Sequence, residues 1–272
     1  MASLEHYLDE QLIRGRAYFS REEAIEASGL SSSAFIAAAG RLAKKHRLVS
    51  PRQGFYLILR PEDRVSGAPD PVRWIDPLME YLNIDYRISL LRAAAYHGSS
   101  HQAVMVFQAI VPKQMRVLTI GRHQLQFVYQ AEEAFIKTNM PDWLEQIKSE
   151  AGFAKVAGVE LTLLDCARYF HKAAGINGVA QITKDLGANA DPRKLEKAAS
   201  VYENSAVRRL GYLLDHFGYL RQARVLESFA RKAKSMKPLD PSIKPLSESI
   251  AEDYEKNSKW KLIINESVEI DD

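Results

Sequence analysis

A single cysteine, Cys166, stands among the 272 residues. This excludes an intrachain disulfide and any cysteine-rich zinc site, and it favours a cytoplasmic setting. Long apolar runs are missing too, since nothing approaches the roughly 20 residues that a membrane helix needs. The leading segment MASLEHYLDEQLIRG is amphipathic and acidic, without the basic start and apolar centre of a secretory leader. Site motifs are equally scarce. His97 and His101 stand four apart, but Gly98-Ser99-Ser100 interrupts the helix and no H-E-x-x-H glutamate is present, so they are expected to be turn histidines. No Gly-rich phosphate loop and no nucleophile elbow occurs. Cys166 follows Asp165 on an apolar-faced helix, where a lone cysteine packs as a small hydrophobe and the aspartate is expected to cap or pair with a basic neighbour. Catalysis, a metal and a cofactor are therefore not expected. A net charge of +3 is too small to diagnose a partner, while 46% hydrophobic and 26% charged residues describe a globular chain long enough for two domains.

The most informative absence is of acid. Between Glu26 and Glu62 no acidic residue occurs, while Arg41, Lys44, Lys45, Arg47, Arg52 and Arg60 all fall there. The same region has the order helix, tight turn, helix and hairpin of a winged helix-turn-helix. Ser20 with Glu23 three residues later forms a capping box. Gly29 supplies the left-handed residue that ends the first of the two helices. Ser31, Ser32 and Ser33 offer N-caps, and Phe35, Ala38 or Ala39, and Leu42 give an inward face at helical spacing, predicting a second helix from Ser32 to His46. Leu48-Val49, the turn Pro51-Arg52-Gln53-Gly54 and the alternating Phe55 to Leu59 predict a two-stranded wing. Ser3 to Arg14 is expected as a preceding helix with Leu4, Tyr7, Leu8 and Leu12 inward.

Such cations supply the phosphate contacts of non-specific DNA affinity. The expected DNA-facing residues are Ser32, Ser33, Ile36, Arg41, Lys44, Lys45, Arg52 and Gln53. The outward face of the second helix, Ser32, Ser33, Ile36, Ala37, Gly40 and Arg41, has no Asn or Gln and few long donors for base edges, so sequence reading would lean on Arg41, the serines, methyl contact by Ile36 or Ala37, and DNA shape.

After the wing, the Gly/Pro-punctuated stretch Arg64 to Pro71 separates two patterned regions. The expected fold class is α+β, with a winged helix-turn-helix at residues 1–66 and a larger mixed α/β C-terminal domain at 70–272. Helices are predicted at Trp74 to Leu82 and Arg87 to Tyr96. Three strands follow, within VMVFQAIVP, MRVLTIG and HQLQFVYQ. Helical periodicity then dominates from Val159 to Lys234, with Asp191-Pro192 opening one helix and Asn204-Ser205 opening another that Gly218 closes.

The succession ISLLRAAAYHG, VMVFQAI, VELTLLDCARYFHKAAGINGVAQ and SAVRRLGYLLDHFG resembles the AbiEi antitoxin family of type IV toxin-antitoxin systems, and the resemblance runs from the helix-turn-helix to the closing strand at Trp260 to Asn265. It implies a protein that binds inverted repeats in double-stranded DNA upstream of its own operon and represses it. It further implies a C-terminal domain that counteracts a cognate toxin with a nucleotidyltransferase fold, by direct contact or otherwise. Monomers in solution and dimers on DNA both remain open. A regulator sensing a small ligand through its C-terminal domain is the alternative, and a scaffold that never touches DNA is a third.

The C-terminal region carries its own charge signal. From Pro192 to Lys237 eleven basic residues face four acidic ones, whereas from Glu248 to Asp272 three basic face eight acidic. A basic helical face can hold nucleic acid or an acidic protein surface, and the acidic tail could fold over it. The expected antitoxin surface comprises Arg208, Arg209, Arg221, Arg224, Arg231, Lys232 and Lys234. With Leu210, Leu213, Leu214 and Phe217 as the buried stripe, at least one of Arg208 and Arg209 should point outward or pair with a carboxylate.

Overall fold

The computed structural model describes residues 3–99, 106–149, 152–244 and 253–270. His101 lies outside them. The chain divides into two compact units: residues 1–88, 105–132 and 146–156 form the first, and residues 89–104, 133–145 and 157–272 form the second.

The first unit begins with α1 (Leu4–Ile13), β1 (Tyr18–Ser20), α2 (Arg21–Ser28), α3 (Ser32–Lys44), β2 (Leu48–Arg52) and β3 (Phe55–Ile58). Local chemistry accounts for each boundary. Ser20 and Glu23 close the capping box, and Gly29 ends α2 at φ +67°. α3 stops two residues short of the expected His46, which itself takes φ +52°. Leu4, Leu8, Phe19, Phe35, Leu42 and Ile58 meet in one core, where the Phe19 and Tyr56 rings stack 5.4 Å apart. β1 pairs with β3 and β3 with β2, antiparallel, which leaves β2 as an edge of this three-stranded sheet. The arrangement is a winged helix-turn-helix.

α4 (Ile75–Tyr81) follows, then a six-stranded sheet of order β6-β7-β5-β4-β9-β8. Its strands are β4 (Arg87–Ile88), β5 (Val106–Val111), β6 (Leu118–Ile120), β7 (His123–Tyr129), β8 (Leu144–Ser149) and β9 (Gly152–Ala157). β5 and β7 run parallel in register from Val106↔Gln124 to Val111↔Tyr129, and β6 turns back onto β7. The edge strand β6 lies near the edge strand β2 without pairing with it, each staying in its own sheet. The stretch read as a linker is part of this packing. Trp74 donates its indole N–H to the Pro69 carbonyl at 2.9 Å, and the Ser66 carbonyl accepts from the Arg122 amide at 2.7 Å.

The second unit is mostly helical: α5 (Leu90–Tyr96), α6 (Glu132–Thr138), α7 (Val159–Arg168), α8 (Gly175–Leu186), α9 (Pro192–Ala199), α10 (Asn204–His216) and α11 (Leu220–Arg231), with the small sheet β10 (Lys237–Pro238), β12 (Leu262–Ile264) and β11 (Glu255–Asn257). α7 and α10 supply its core, including Leu163, Leu164, Leu210 and Leu213. Gly211 is required there, because a Cβ would lie 2.1 Å from the Trp260 ring. The helix expected over Arg87 to Tyr96 is corrected by the structure. Arg87 and Ile88 are strand residues, and Leu90 at φ +57° turns the chain into α5. That strained residue is fully buried, and the preceding Ser89 hydroxyl donates to Asp165 at 2.7 Å.

Candidate functional site

On α3, Ser31 is the cap, accepting from the Ala34 amide at 3.2 Å. This leaves Ser32 and Ser33 exposed in the first turn, and the Ser32 hydroxyl accepts a hydrogen bond from the Arg21 guanidinium. Sequence reading missed Arg21, although a cation at the start of the helix preceding α3 was the signal. Phe35, Ala39 and Leu42 turn inward, so Ile36 (56% exposed), Arg41, Lys44 and Lys45 face out. Small residues at Ala34, Ala37 and Ala38 leave a groove between α3 and the start of α1, with Arg41 and Lys45 on its border.

The cations of this region divide in two. Arg47 is 3.3 Å from Glu5 and 2.7 Å from Asp9 of α1, and Arg60 is 4.0 Å from Glu62, so neither has its charge free. Among the described residues no carboxylate pairs with Arg41, Lys44, Lys45 or Arg52. The acids that neutralise Arg47 lie about 40 residues upstream, too far for charge counting in the acid-free stretch to include them.

The wing is held at its tip. The Ser50 hydroxyl donates to the Arg52 and Phe55 carbonyls at 2.7 and 2.9 Å, and Gly54 takes φ +83°. The Tyr81 hydroxyl of α4 donates to the Gln53 carbonyl at 3.1 Å, so close that a Cβ on Gly54 would lie 2.3 Å from its oxygen. The Gln53 side chain remains exposed and Arg52 half-buried. Below the helix pair, partial burial would raise the Glu23 carboxyl. Hydrogen bonds from the Ser20 amide and Arg16, each 2.7 Å, outweigh that and hold it below the usual carboxylate range.

In the second unit Arg221, Arg224, Arg231, Lys232 and Lys234 are all exposed on or just beyond α11, as expected. Leu226, Ala223 and Ala230 bury its opposite side. Arg208 and Arg209 correct the expectation of an exposed or carboxylate-paired arginine. Both are buried on α10 and spend their donors on backbone carbonyls, Arg208 on Ser235 and Lys261 at 3.0 and 2.9 Å, Arg209 on Leu239 and Ala167 at 2.8 and 2.6 Å. Arg209 also lies over the Phe170 ring, 4.6 Å from its centroid. Burial pushes its guanidinium down to about 10, opposed by nearby Asp240. They fasten the closing strands and are no surface for a partner.

Among the described residues no tail carboxylate pairs with the α11 cations; instead the tail's Lys259 reaches Asp215 at 2.9 Å and Glu227 at 3.4 Å. Two other groups are also accounted for. His97 bonds to the Ala157 carbonyl at 2.7 Å, and Asp165 accepts from Ser89 and Tyr202, each at 2.7 Å. Cys166 is buried, which pushes its thiol up, and among the described residues no group of three metal-ligating side chains occurs.

The order of β4, α5, the mixed sheet and α7 to α10, with the two buried arginines on α10, is what comparison with known families bears on. Residues 87–216 match the AbiEi antitoxin C-terminal domain. The match bears out the sequence resemblance over that segment and supports an antitoxin role in a toxin-antitoxin system. The AbiEi segment runs from β4 to the end of α10 and so includes Arg208 and Arg209, while the α11 cations and the winged helix lie beyond it. No curated protein matches the chain. Among solved structures, the RV2827C protein from Mycobacterium tuberculosis aligns with a TM-score of 0.64 at 15% identity, covering 95% of this chain and 90% of that one. At that identity the likeness speaks for the fold alone. Among the described residues no helix is long and apolar enough to cross a membrane.

Proposed function

We propose that this protein is a DNA-binding antitoxin that represses its own toxin-antitoxin operon through the winged helix and counteracts a nucleotidyltransferase-like toxin through its C-terminal domain. The observation that carries the DNA half is the set Arg41, Lys44 and Lys45, exposed on the outward face of α3 with no carboxylate partner among the described residues. An α-helix fits the major groove, and cations on its flank neutralise phosphates and release counterions. The AbiEi segment carries the antitoxin half, and the basic face of α11 is the surface we assign to it. The functional division we propose places operator recognition by the winged helix in residues 1–66 and the antitoxin surface within residues 70–272.

The test is a titration of the full chain against a duplex with the inverted repeats upstream of its operon, at several salt concentrations. Changing Lys44, Lys45 and Arg52 to Ala should weaken binding to all duplexes about equally and make the salt slope shallower by roughly one unit per residue. Arg41→Ala should instead relax discrimination among operator variants by about 1–3 kcal/mol. An unchanged slope in the triple variant would remove these residues from the interface. A uniform loss for Arg41→Ala would reassign it to the backbone.

A further inference from the structure

A second acid-free run extends from Tyr86 to Ala131, longer than the first. The fold brings the first run together with residues 106–131 of the second inside the first unit. β6 lies against β2, and the turn after β6 closes on the segment that follows the wing. There the Arg122 amide donates to the Ser66 carbonyl at 2.7 Å, and the His123 ring nitrogen is 3.0 Å from the Ala68 carbonyl. Gly67 and Gly121 meet so closely that a Cβ on either would lie 2.8 Å from the other's Cα. The winged helix is thereby continuous with a hairpin that carries cations of its own. Lys113 and Arg116 precede β6 and Arg122 follows it, all exposed, with no carboxylate partner among the described residues.

We propose that the loop and hairpin from Lys113 to Arg122 form a second contact with duplex DNA, holding backbone phosphates beside those taken by α3. The proposal rests on the DNA-binding reading above and extends its footprint beyond the helix and wing. Cations gathered without interspersed acids repel one another, and a polyanion relieves that repulsion. Residues 113–122 contain no aromatic side chain on which an unpaired base could stack, so the chemistry on offer is that of phosphate contact along a duplex.

The experiment compares full-length wild type with the variant carrying Lys113→Gln, Arg116→Gln and Arg122→Gln, on the operator duplex across a salt series. The slope of log affinity against log salt should become shallower by roughly 2.7 units, at about 0.9 per lost phosphate contact, with the melting temperature unchanged. An unchanged slope in this variant, while Lys44→Ala with Lys45→Ala lowers it, overturns the second contact and leaves the DNA-binding reading standing. Absence of salt-dependent binding in the wild type sinks both. A loss confined to single-stranded RNA, with duplex binding intact, would also overturn the proposal.

Discussion

α10 and α11 are consecutive helices of one unit, and both carry arginines, yet the two sets have opposite fates. On α10, Arg208 and Arg209 follow Val207 into the core and satisfy backbone carbonyls of Ser235, Leu239 and Lys261 in the closing segments and of Ala167 on α7. On α11, Arg221, Arg224 and Arg231 stand in solvent. Charge counted along a sequence merges these two kinds of cation. What separates them is whether the surrounding chain offers oxygen atoms to a buried guanidinium, with its fixed fork of donors.

The sharpest way to break the comparison is to remove one buried arginine. Arg209→Ala should cost about 3 kcal/mol in urea unfolding, since the Leu239 and Ala167 carbonyls lose their donor and the Phe170 ring loses its cation. A loss below about 0.5 kcal/mol would return Arg209 to the surface class.

Smaller is the effect of the Lys259 pairing. Partial burial would raise the Asp215 carboxyl, but hydrogen bonds from Lys259 and the Trp260 indole hold it below the usual range, while the bond to Asp215 raises Lys259. Asp215→Asn should cost roughly 1 kcal/mol near neutral pH, discounted for the exposure of the lysine. The sign follows from linkage. The carboxylate contribution is present above its unfolded pKa and lost as pH falls through the lowered folded value. The lysine contribution is present below its unfolded pKa and lost as pH rises through the raised one. The cost of Asp215→Asn should therefore shrink at both extremes, and a pH-independent difference would assign it to packing.

Smallest in stability should be reversal of the exposed set. Arg224→Glu, Arg231→Glu and Lys234→Glu together should move the melting temperature almost not at all, because surface substitutions shift stability by less than about 0.5 kcal/mol each. The same variant should abolish protection against the toxin in cells. A folded variant that still protects would make α11 a solvated face and move the antitoxin surface elsewhere in the second unit.

Much of the winged helix was legible because its signals are local. Ser20 and Glu23 sit three residues apart, Gly29 is a left-handed stop, and β2 and β3 are joined by a tight turn. The sites were less legible, because partners decide them. Arg47 looks free until Glu5 and Asp9 of α1 arrive beside it. The two-residue strand β4 hid inside a helical pattern, since its end is set by the buried Ser89 to Asp165 bond and the φ of Leu90. β8 and β9 escaped notice because Glu145, Lys148 and Lys155 interrupt their β-branched content. Tyr81 at the wing tip carried no sequence signal at all; only the fold sets its hydroxyl on Gln53.

The contact between the edges β2 and β6 also has a history in time. β2 ends at Arg52, and the strand that comes to lie near it ends at Ile120. A chain elongating at about 5–20 residues per second must therefore add about 70 residues, over roughly 3–14 seconds, before the wing's outer edge gains that neighbour. Throughout that interval the nascent wing is an open strand, available to any neighbouring chain on the same message. The charge of Arg52 at its end and the bulge between Val49 and Arg52 are what discourage such pairing until β6 emerges.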